Sequence, residues 1–340
     1  MADPKVVLIT GASSGIGKAC AEHLATLGHK VYGTSRKSAA GSASVKMIPM
    51  DVTDDRSVVD GVARVVQAEG RLDALLNNAG YGIAGAVEDT SIQEAQQQFD
   101  TNFFGMVRLT KAVLPRMREQ RSGHIVNMGS IGGIISIPFQ AFYCATKFAI
   151  EGFTEALRME VQGFGIRVAL LEPGDHRTNF TQNRCRTKES QNNSAYREIC
   201  EKALGVMEHD EQNGPSPDGI ARRVAGILSA KSPALRHPVG MFLQRFAVTL
   251  KHTLPYFNQL VHRVRKIRIM GSAALALTYV ATGRFDAYIE RGISLWDIAA
   301  GGLIIECAGG EFWRQTIGGE HKYRMIASNG RLRRSLRVPG

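Results

Sequence analysis

Cysteine is scarce. The chain has five, Cys20, Cys144, Cys185, Cys200 and Cys307, an odd number with no C-x-x-C spacing. That argues against a disulfide framework or a zinc ribbon and predicts reduced thiols in a cytoplasmic protein. Long apolar runs are missing too: none reaches the roughly 20 residues that a membrane-spanning helix needs. Met1-Ala2-Asp3-Pro4 leads directly into the apolar stretch 5–10 with no basic segment ahead of it, so no secretion signal is expected. Acidic residues are the third shortage, 31 Asp and Glu against 42 Lys and Arg, a formal charge of +11. Such a surplus suits nucleic acid, a membrane surface or an anionic cofactor. The densest basic stretches, 262–268 and 331–337, come without zinc-finger spacing or an aromatic-rich RNA-binding signature, so nucleic-acid binding is not expected. With 340 residues, 44% apolar and 21% charged, the chain is long enough for one large globular domain or two ordinary ones.

The apolar run Val6-Val7-Leu8-Ile9 is followed by Thr10-Gly11-Ala12-Ser13-Ser14-Gly15-Ile16-Gly17 and then by an amphipathic stretch, 18–27, closed by Gly28. A strand, a glycine loop and a helix form the context of a nucleotide-binding turn. Glycines permit a tight turn, and a helix N-terminus offers free N–H groups to a pyrophosphate. The second strand, 30–34, ends in Ser35-Arg36-Lys37. An acid at that corner would accept from the ribose of NAD, whereas an arginine can hold a 2′-phosphate. Arg36 therefore favours NADP(H) over NAD(H), the alternative being an arginine stacked on adenine that suits either. Asp51, before Val52, is a candidate for the adenine edge.

Further strands are expected at 72–76, 124–128 and 166–171, alternating with helices at 55–68, through about 120, and at 142–162. Alternation of this kind predicts an α/β fold, a Rossmann-type doubly wound parallel sheet with helices on both faces. Ligands then sit at the carboxyl ends of the strands. Tyr143 and Lys147 are four residues apart at the start of the helix 142–162, so they share a face. An ammonium beside a phenol lowers the phenol's pKa and makes it usable as an acid or base. Tyr-x-x-x-Lys arises by chance on many helices. Here it follows Ser130, at the end of a strand, whose hydroxyl is placed to hydrogen-bond a substrate oxygen. Cys144 reads as helix packing.

In order and at family spacing, Thr10-Gly11-x-x-x-Gly15-Ile16-Gly17, Asn77-Asn78-Ala79-Gly80, Asn102, Ser130, Tyr143-x-x-x-Lys147 and the run from Pro173-Gly174 to Thr178 resemble the short-chain dehydrogenase/reductase family. The resemblance covers roughly residues 3–265. Gly129-Ser130-Ile131-Gly132-Gly133, Pro138-Phe139 and 143–149 resemble its 17β-hydroxysteroid and retinol dehydrogenase branch. It implies hydride transfer between NADP(H) and an apolar alcohol or ketone. Tyr143 would be the general acid of reduction, Lys147 would lower its pKa and bind the nicotinamide ribose, and Ser130 would polarise the substrate oxygen. Asn102 would support a proton-relaying water. Cofactor contacts would come from Thr10, Gly11, Ser13, Ser14, Gly15, Ile16, Gly17, Ser35, Arg36, Asp51, Val52, Asn78, Ala79, Gly80, Tyr143, Lys147, Pro173, Gly174 and Thr178. Asp175 and Arg177 read as ordinary loop charges. The polar stretch 179–216 is expected to be a substrate lid or a solvated loop, and Ser216-Pro217 to open another helix. The apolar stretch 241–264 reads as a pocket-covering helix, with an interfacial membrane helix as the alternative.

Beyond about 266 the pattern changes. The small-residue stretch 271–281, a turn and strand over 283–290, and a helix from Trp296-Asp297 to Gly310 resemble the C-terminal part of the inositol monophosphatase family. The resemblance makes Asp297 a magnesium ligand and Glu290 a sugar-alcohol contact. The family's earlier Asp-Pro-x-Asp-Gly carboxylates are absent upstream, and Asp297 alone does not make a magnesium site. A small C-terminal α+β fragment without metal or phosphatase activity is therefore expected over 266–340, after a catalytic domain over 1–265. A fragment without its native neighbours exposes apolar surface, which favours a homo-oligomer. The rival readings are a non-catalytic dinucleotide-binding protein, which intact Ser130, Tyr143 and Lys147 argue against, and a sugar-phosphate phosphatase.

Overall fold

The computed structural model describes residues 3–36, 44–192, 194–240, 272–317 and 321–330. Lys37, the stretch 241–264, both basic clusters and the 265/266 boundary lie outside the described residues. The chain divides into two compact units, Met1–Val248 and Thr249–Gly340.

Seven parallel strands form the sheet of the first unit: β1 (Val6–Ile9), β2 (Lys30–Ser35), β3 (Val45–Pro49), β4 (Ala74–Asn77), β6 (Gly123–Met128), β7 (Ile166–Pro173) and β9 (Arg236–Val239). Their order is β3-β2-β1-β4-β6-β7-β9. Parallel strands covered on both faces read as continuous apolar runs, and all four residues of β1 are buried. Alternate residues go to opposite cores. Val6 and Leu8 join residues of α2 (Asp55–Glu69), α4 (Gly105–Glu119) and α5 (Ala141–Val161). Val7 and Ile9 join residues of α1 (Gly15–Thr26) and α7 (Asp218–Ser229).

Local signals set the helix ends. The Asp54 side chain accepts from the Ser57 N–H before α2, and Gly70 closes that helix in the left-handed region at φ 67°. Ser91 and Glu94 form a capping box at α3 (Ile92–Phe99). Between α3 and α4 the chain takes π-helical form over Asp100–Phe104. The helix expected to open at Ser216-Pro217 is α7: Pro217 occupies its capping position, and the Ser216 hydroxyl donates to Asp218. The stretch 179–216 is neither a plain loop nor a lid without structure. It holds β8 (Cys185–Arg186), which pairs with β5 (Ile83–Ala84), and the long helix α6 (Ser194–Gln212). Leu204 of α6 is 1% exposed and packs with Ala84, Cys200 and Phe139.

The second unit has a three-stranded antiparallel sheet, β10 (Ala287–Ser294), β12 (Lys322–Ser328) and β11 (Glu311–Thr316), in that order. The helices Ala273–Ala281 and Leu295–Cys307 pack with it around Leu277, Val280, Ile298, Ile305, Met325 and Ala327. No helix among the described residues is long and apolar enough to cross a membrane.

Candidate active site

The carboxyl ends of the strands open into a cavity of about 790 Å³, lined from the glycine loop to α6. Thr10 follows β1 directly and is buried. Its hydroxyl oxygen accepts from the Asn78 and Ala79 N–H groups, both at 2.9 Å. The Asn78 amide donates to the Thr10 and Gly11 carbonyls, at 2.9 and 3.1 Å. These four bonds staple the glycine loop to the end of β4. Gly11 and Gly15 have φ of +66° and +55°, a region that disfavours any side chain. A Cβ at Gly17 would lie 2.3 Å from the Gly11 carbonyl oxygen. Thr10 and Gly17 thus shape the loop behind the cavity wall. Gly11, Ser13, Ser14, Gly15 and Ile16 do line it. Ser14 flanks α1 in extended conformation without a capping hydrogen bond, leaving the helix N-terminus without a side-chain cap. A narrow, side-chain-free cradle against a helix N-terminus fits a pyrophosphate.

Ser35, Arg36, Asp51 and Val52 line the same cavity at the ends of β2 and β3. Burial pushes the Asp51 carboxyl up. Hydrogen bonds from the Thr53 N–H and hydroxyl, at 2.9 and 2.8 Å, and the charges of Arg36 and Arg108 outweigh that and hold it below the usual carboxylate range. Asn78, Ala79 and Gly80 continue the wall after β4, and Pro173, Gly174 and Thr178 continue it after β7. A Cβ on Gly15 would stand 3.5 Å from that of Thr178, so the β7 loop crosses close to the glycine loop. Asp175, read from the sequence as an ordinary loop charge, also lines the cavity.

Ser130, Tyr143, Lys147 and Asn102 line the cavity together. The Ser130 hydroxyl accepts from the Gly132 N–H at 3.0 Å and lies close enough to the Tyr143 phenol to favour its ionised form. Lys147 donates to the Met128 carbonyl at 2.8 Å, and its nitrogen stands 5.6 Å from the centre of the Tyr143 ring. Burial pushes the phenol up to about 12 against the effect of Ser130. Burial also pushes the Lys147 amine down, to about 8. The lowered phenol expected from the neighbouring ammonium is therefore not what the protein alone displays. At neutral pH the phenol is protonated, the form that donates a proton. The Asn102 amide is engaged with the backbone of Tyr81, accepting at 3.1 Å and donating at 2.9 Å, and it donates to Thr146 at 3.4 Å. It sits in the π-helical turn, a form that clusters at functional sites.

Tyr81, Gln140, Phe180, Met207 and Glu211 line the cavity and were not singled out from the sequence. Gln140 lies three residues before Tyr143. Met207 and Glu211 are on α6, whose apolar residues at 196, 199, 200, 203, 204 and 207 carry a helical spacing that the surrounding polarity masks. In the second unit Asp297 is exposed, and Glu290 accepts from the Tyr288 hydroxyl. Among the described residues no group of three or more His, Cys, Asp or Glu is placed to hold a metal ion.

Comparison with known proteins agrees with this geometry. The family model for short chain dehydrogenase matches residues 5–189, and the chain belongs to that family. The model of the inositol monophosphatase family matches residues 238–335. The chain is 44% identical over 252 residues to the 3-ketodihydrosphingosine reductase of Bacteroides thetaiotaomicron, covering 74% of this chain and 94% of that one. It is 37% identical over 259 residues to retinol dehydrogenase 8 of Bos taurus, covering 69% and 82%. The crystal structure of a short-chain dehydrogenase from Streptomyces avermitilis superposes with a TM-score of 0.65 at 35% identity, covering 78% of this chain and all of that one. The protein is a dehydrogenase or reductase dependent on a nicotinamide dinucleotide.

Proposed function

We propose that the protein is an NADP(H)-dependent carbonyl reductase acting on a lipid-like ketone, with Ser130, Tyr143, Lys147 and Asn102 as its reactive group. The observation that carries this reading is the sharing of one cavity by Ser130, Tyr143, the buried Lys147 amine and the uncapped N-terminus of α1. A bound reduced nicotinamide supplies the hydride; the side chains orient the ketone and move the proton. Ser130 and Tyr143 both reach toward one substrate oxygen, and Tyr143 donates its proton as the carbonyl becomes an alcohol. Lys147 is free to exchange the Met128 carbonyl for a ribose hydroxyl, and Asn102 braces the turn from which a water relays protons to Lys147. Ile137, Phe180 and Met207 supply apolar wall. The relative named as a 3-ketodihydrosphingosine reductase supports a long-chain ketone as the substrate class.

Arg36 carries the preference for the phosphorylated cofactor, since no carboxylate ends β2 to accept from an unmodified ribose. Oxidation of NADPH and NADH is followed with a panel of long-chain ketones, ketosteroids and retinal. NADPH is expected to be favoured, and Arg36→Asp to shift the NADPH/NADH ratio of kcat/KM by about 10- to 100-fold toward NADH, the worth of one charge-assisted contact. An unchanged ratio overturns the role assigned to Arg36.

A further inference from the structure

Asn102 does not hold its place alone. Gln98 lies four residues before it, near the end of α3, and is 0% exposed. Its amide spans the backbone of residues 81–83, just beyond Asn78-Ala79-Gly80. The Ile83 N–H donates to Gln98 Oε1 at 2.7 Å, and Gln98 Nε2 donates to the Tyr81 carbonyl at 2.7 Å. A backbone N–H only donates and a carbonyl only accepts, so these partners fix which way the amide faces. The Tyr81 carbonyl accepts a second bond, from Asn102 at 2.9 Å, and the Tyr81 N–H donates to the Asn102 oxygen at 3.1 Å. Both lone pairs of that carbonyl are thereby taken.

Positions four apart share a helix face, which brings the amides of Gln98 and Asn102 to one carbonyl. Gln98 has no exposed surface, whereas Gly80, Tyr81 and Asn102 line the cavity. A Cβ on Gly80 would lie 3.1 Å from the Asn102 oxygen, so the segment runs close against the Asn102 amide. The segment continues into β5, and the Cys185 N–H donates to the Gly82 carbonyl at 2.8 Å as β8 pairs with it. The other end, at Asn78 and Ala79, is held separately by Thr10. Without the Gln98 amide the buried Ile83 N–H would be unpaired and the Tyr81 carbonyl half-satisfied. The 81–83 backbone would shift to find partners, and the Asn102 amide bonded to it would turn with it.

We propose that Gln98 is a positioning residue of the reaction: by fixing the 81–83 backbone it sets the orientation of Asn102, and through Asn102 the water relay to Lys147. This rests on the reductase reading above and adds to it a residue that touches neither substrate nor cofactor. Two substitutions separate the parts of the role. Gln98→Met keeps the length of the side chain and removes the amide. Gln98→Glu puts a titratable group in the same place. A neutral carboxyl has one O–H donor and one C=O acceptor and reproduces both bonds, whereas the carboxylate only accepts and faces the Tyr81 carbonyl with a lone pair. Burial raises the pKa of such a carboxyl, so this variant works in acid and fails as the pH rises.

The test uses the full chain with NADPH and whichever ketone of the panel above turns over fastest, after each variant has shown a folded melting transition. Gln98→Met is expected to lower kcat by about 10- to 100-fold, the cost of a reactive group misplaced by about 1 Å, while the NADPH Kd stays within about threefold. Asn102→Ala is expected to lower kcat at least as much. The double variant should be no slower than Asn102→Ala alone, because a residue acting through Asn102 then has nothing left to act on. For Gln98→Glu, kcat relative to wild type should fall about tenfold or more between pH 6 and pH 8. Losses that multiply in the double variant mark a structural role and overturn the proposal. So do an unchanged kcat in Gln98→Met, an Asn102→Ala variant as fast as wild type, or a Gln98→Glu profile parallel to that of wild type. If Gln98→Met does not fold, Gln98→Glu at pH 8 takes its place in the comparison with Asn102→Ala; failure of both to fold makes Gln98 structural and overturns the proposal too. All these outcomes leave the reductase standing. No oxidation of NADPH or NADH with any ketone sinks the reductase reading itself, and this role with it.

Discussion

Glu172 lies on β7, 2% exposed, and shares the Arg236 guanidinium with Glu151, one turn beyond Lys147. Burial, then the charge of Glu151, pushes its carboxyl up to about 7, and Arg236 only partly opposes this. The folded protein therefore holds a proton there that the unfolded chain releases near 4.5. The stability this group lends is complete below about 4.5 and is lost as pH rises through about 7. A shift of this size corresponds to at most about 3 kcal/mol, less what solvent screening removes. Glu172→Gln keeps the size and polarity of the side chain without the titration. Its melting temperature should exceed that of the wild type by a few degrees at pH 8 and fall less between pH 5 and 8. Parallel curves for the two proteins would rule the account out. The nearness of Tyr143 to Lys147, on which the proposed chemistry rests, was legible because spacing alone puts the two side by side. The order of their pKa values was not, because it depends on burial by distant parts of the chain: the phenol stands at about 12 and the amine at about 8.

At the scale of elements, the strands showed in the sequence as apolar runs and the helices as periodic ones with caps. The strand expected at 72–76 ends one residue later, as Ala74–Asn77, and that polar last residue has a purpose. The Asn77 amide donates to Asn127 at 2.9 Å, Asn127 donates to the Thr154 hydroxyl at 3.0 Å, and Thr154 donates to the Ile150 carbonyl at 2.6 Å. A buried polar ladder thus ties β4 and β6 to α5, the helix that carries Tyr143 and Lys147. Asn127 is fully buried, and removing it takes away one hydrogen bond on each side of the ladder. Asn127→Ala should lower the free energy of unfolding by about 2–4 kcal/mol in urea titrations, since two buried bonds are lost. A loss below about 0.5 kcal/mol would mean the ladder is not holding the layers together. The helix α6 was hidden for the opposite reason. Its exposed face is so rich in charge that the stretch reads as loop, although Leu204 and Cys200 are buried.

For the whole molecule, the alternation of strands and helices was enough to anticipate a parallel sheet with its ligand cleft at the strand ends. The observed order, β3-β2-β1-β4-β6-β7-β9, puts the glycine loop of β1 beside β4, where the order of strands reverses direction. The far wall of the cleft was less legible, because Gln140, Phe180 and Glu211 meet only through the fold and bear no motif. The second unit keeps a core of its own around Leu277, Ile298 and Met325 and matches the inositol monophosphatase family over residues 238–335. The reductase chemistry is carried by the first unit, and its central claim is that the Tyr143 phenol hands the proton to the substrate oxygen. The most direct measurement compares wild type with Tyr143→Phe, following ketone-dependent NADPH oxidation and NADPH affinity side by side. Turnover should fall by about 100- to 10,000-fold, the worth of a general acid, while the NADPH Kd stays within about threefold. A variant that reduces the ketone at a rate close to wild type would contradict the account.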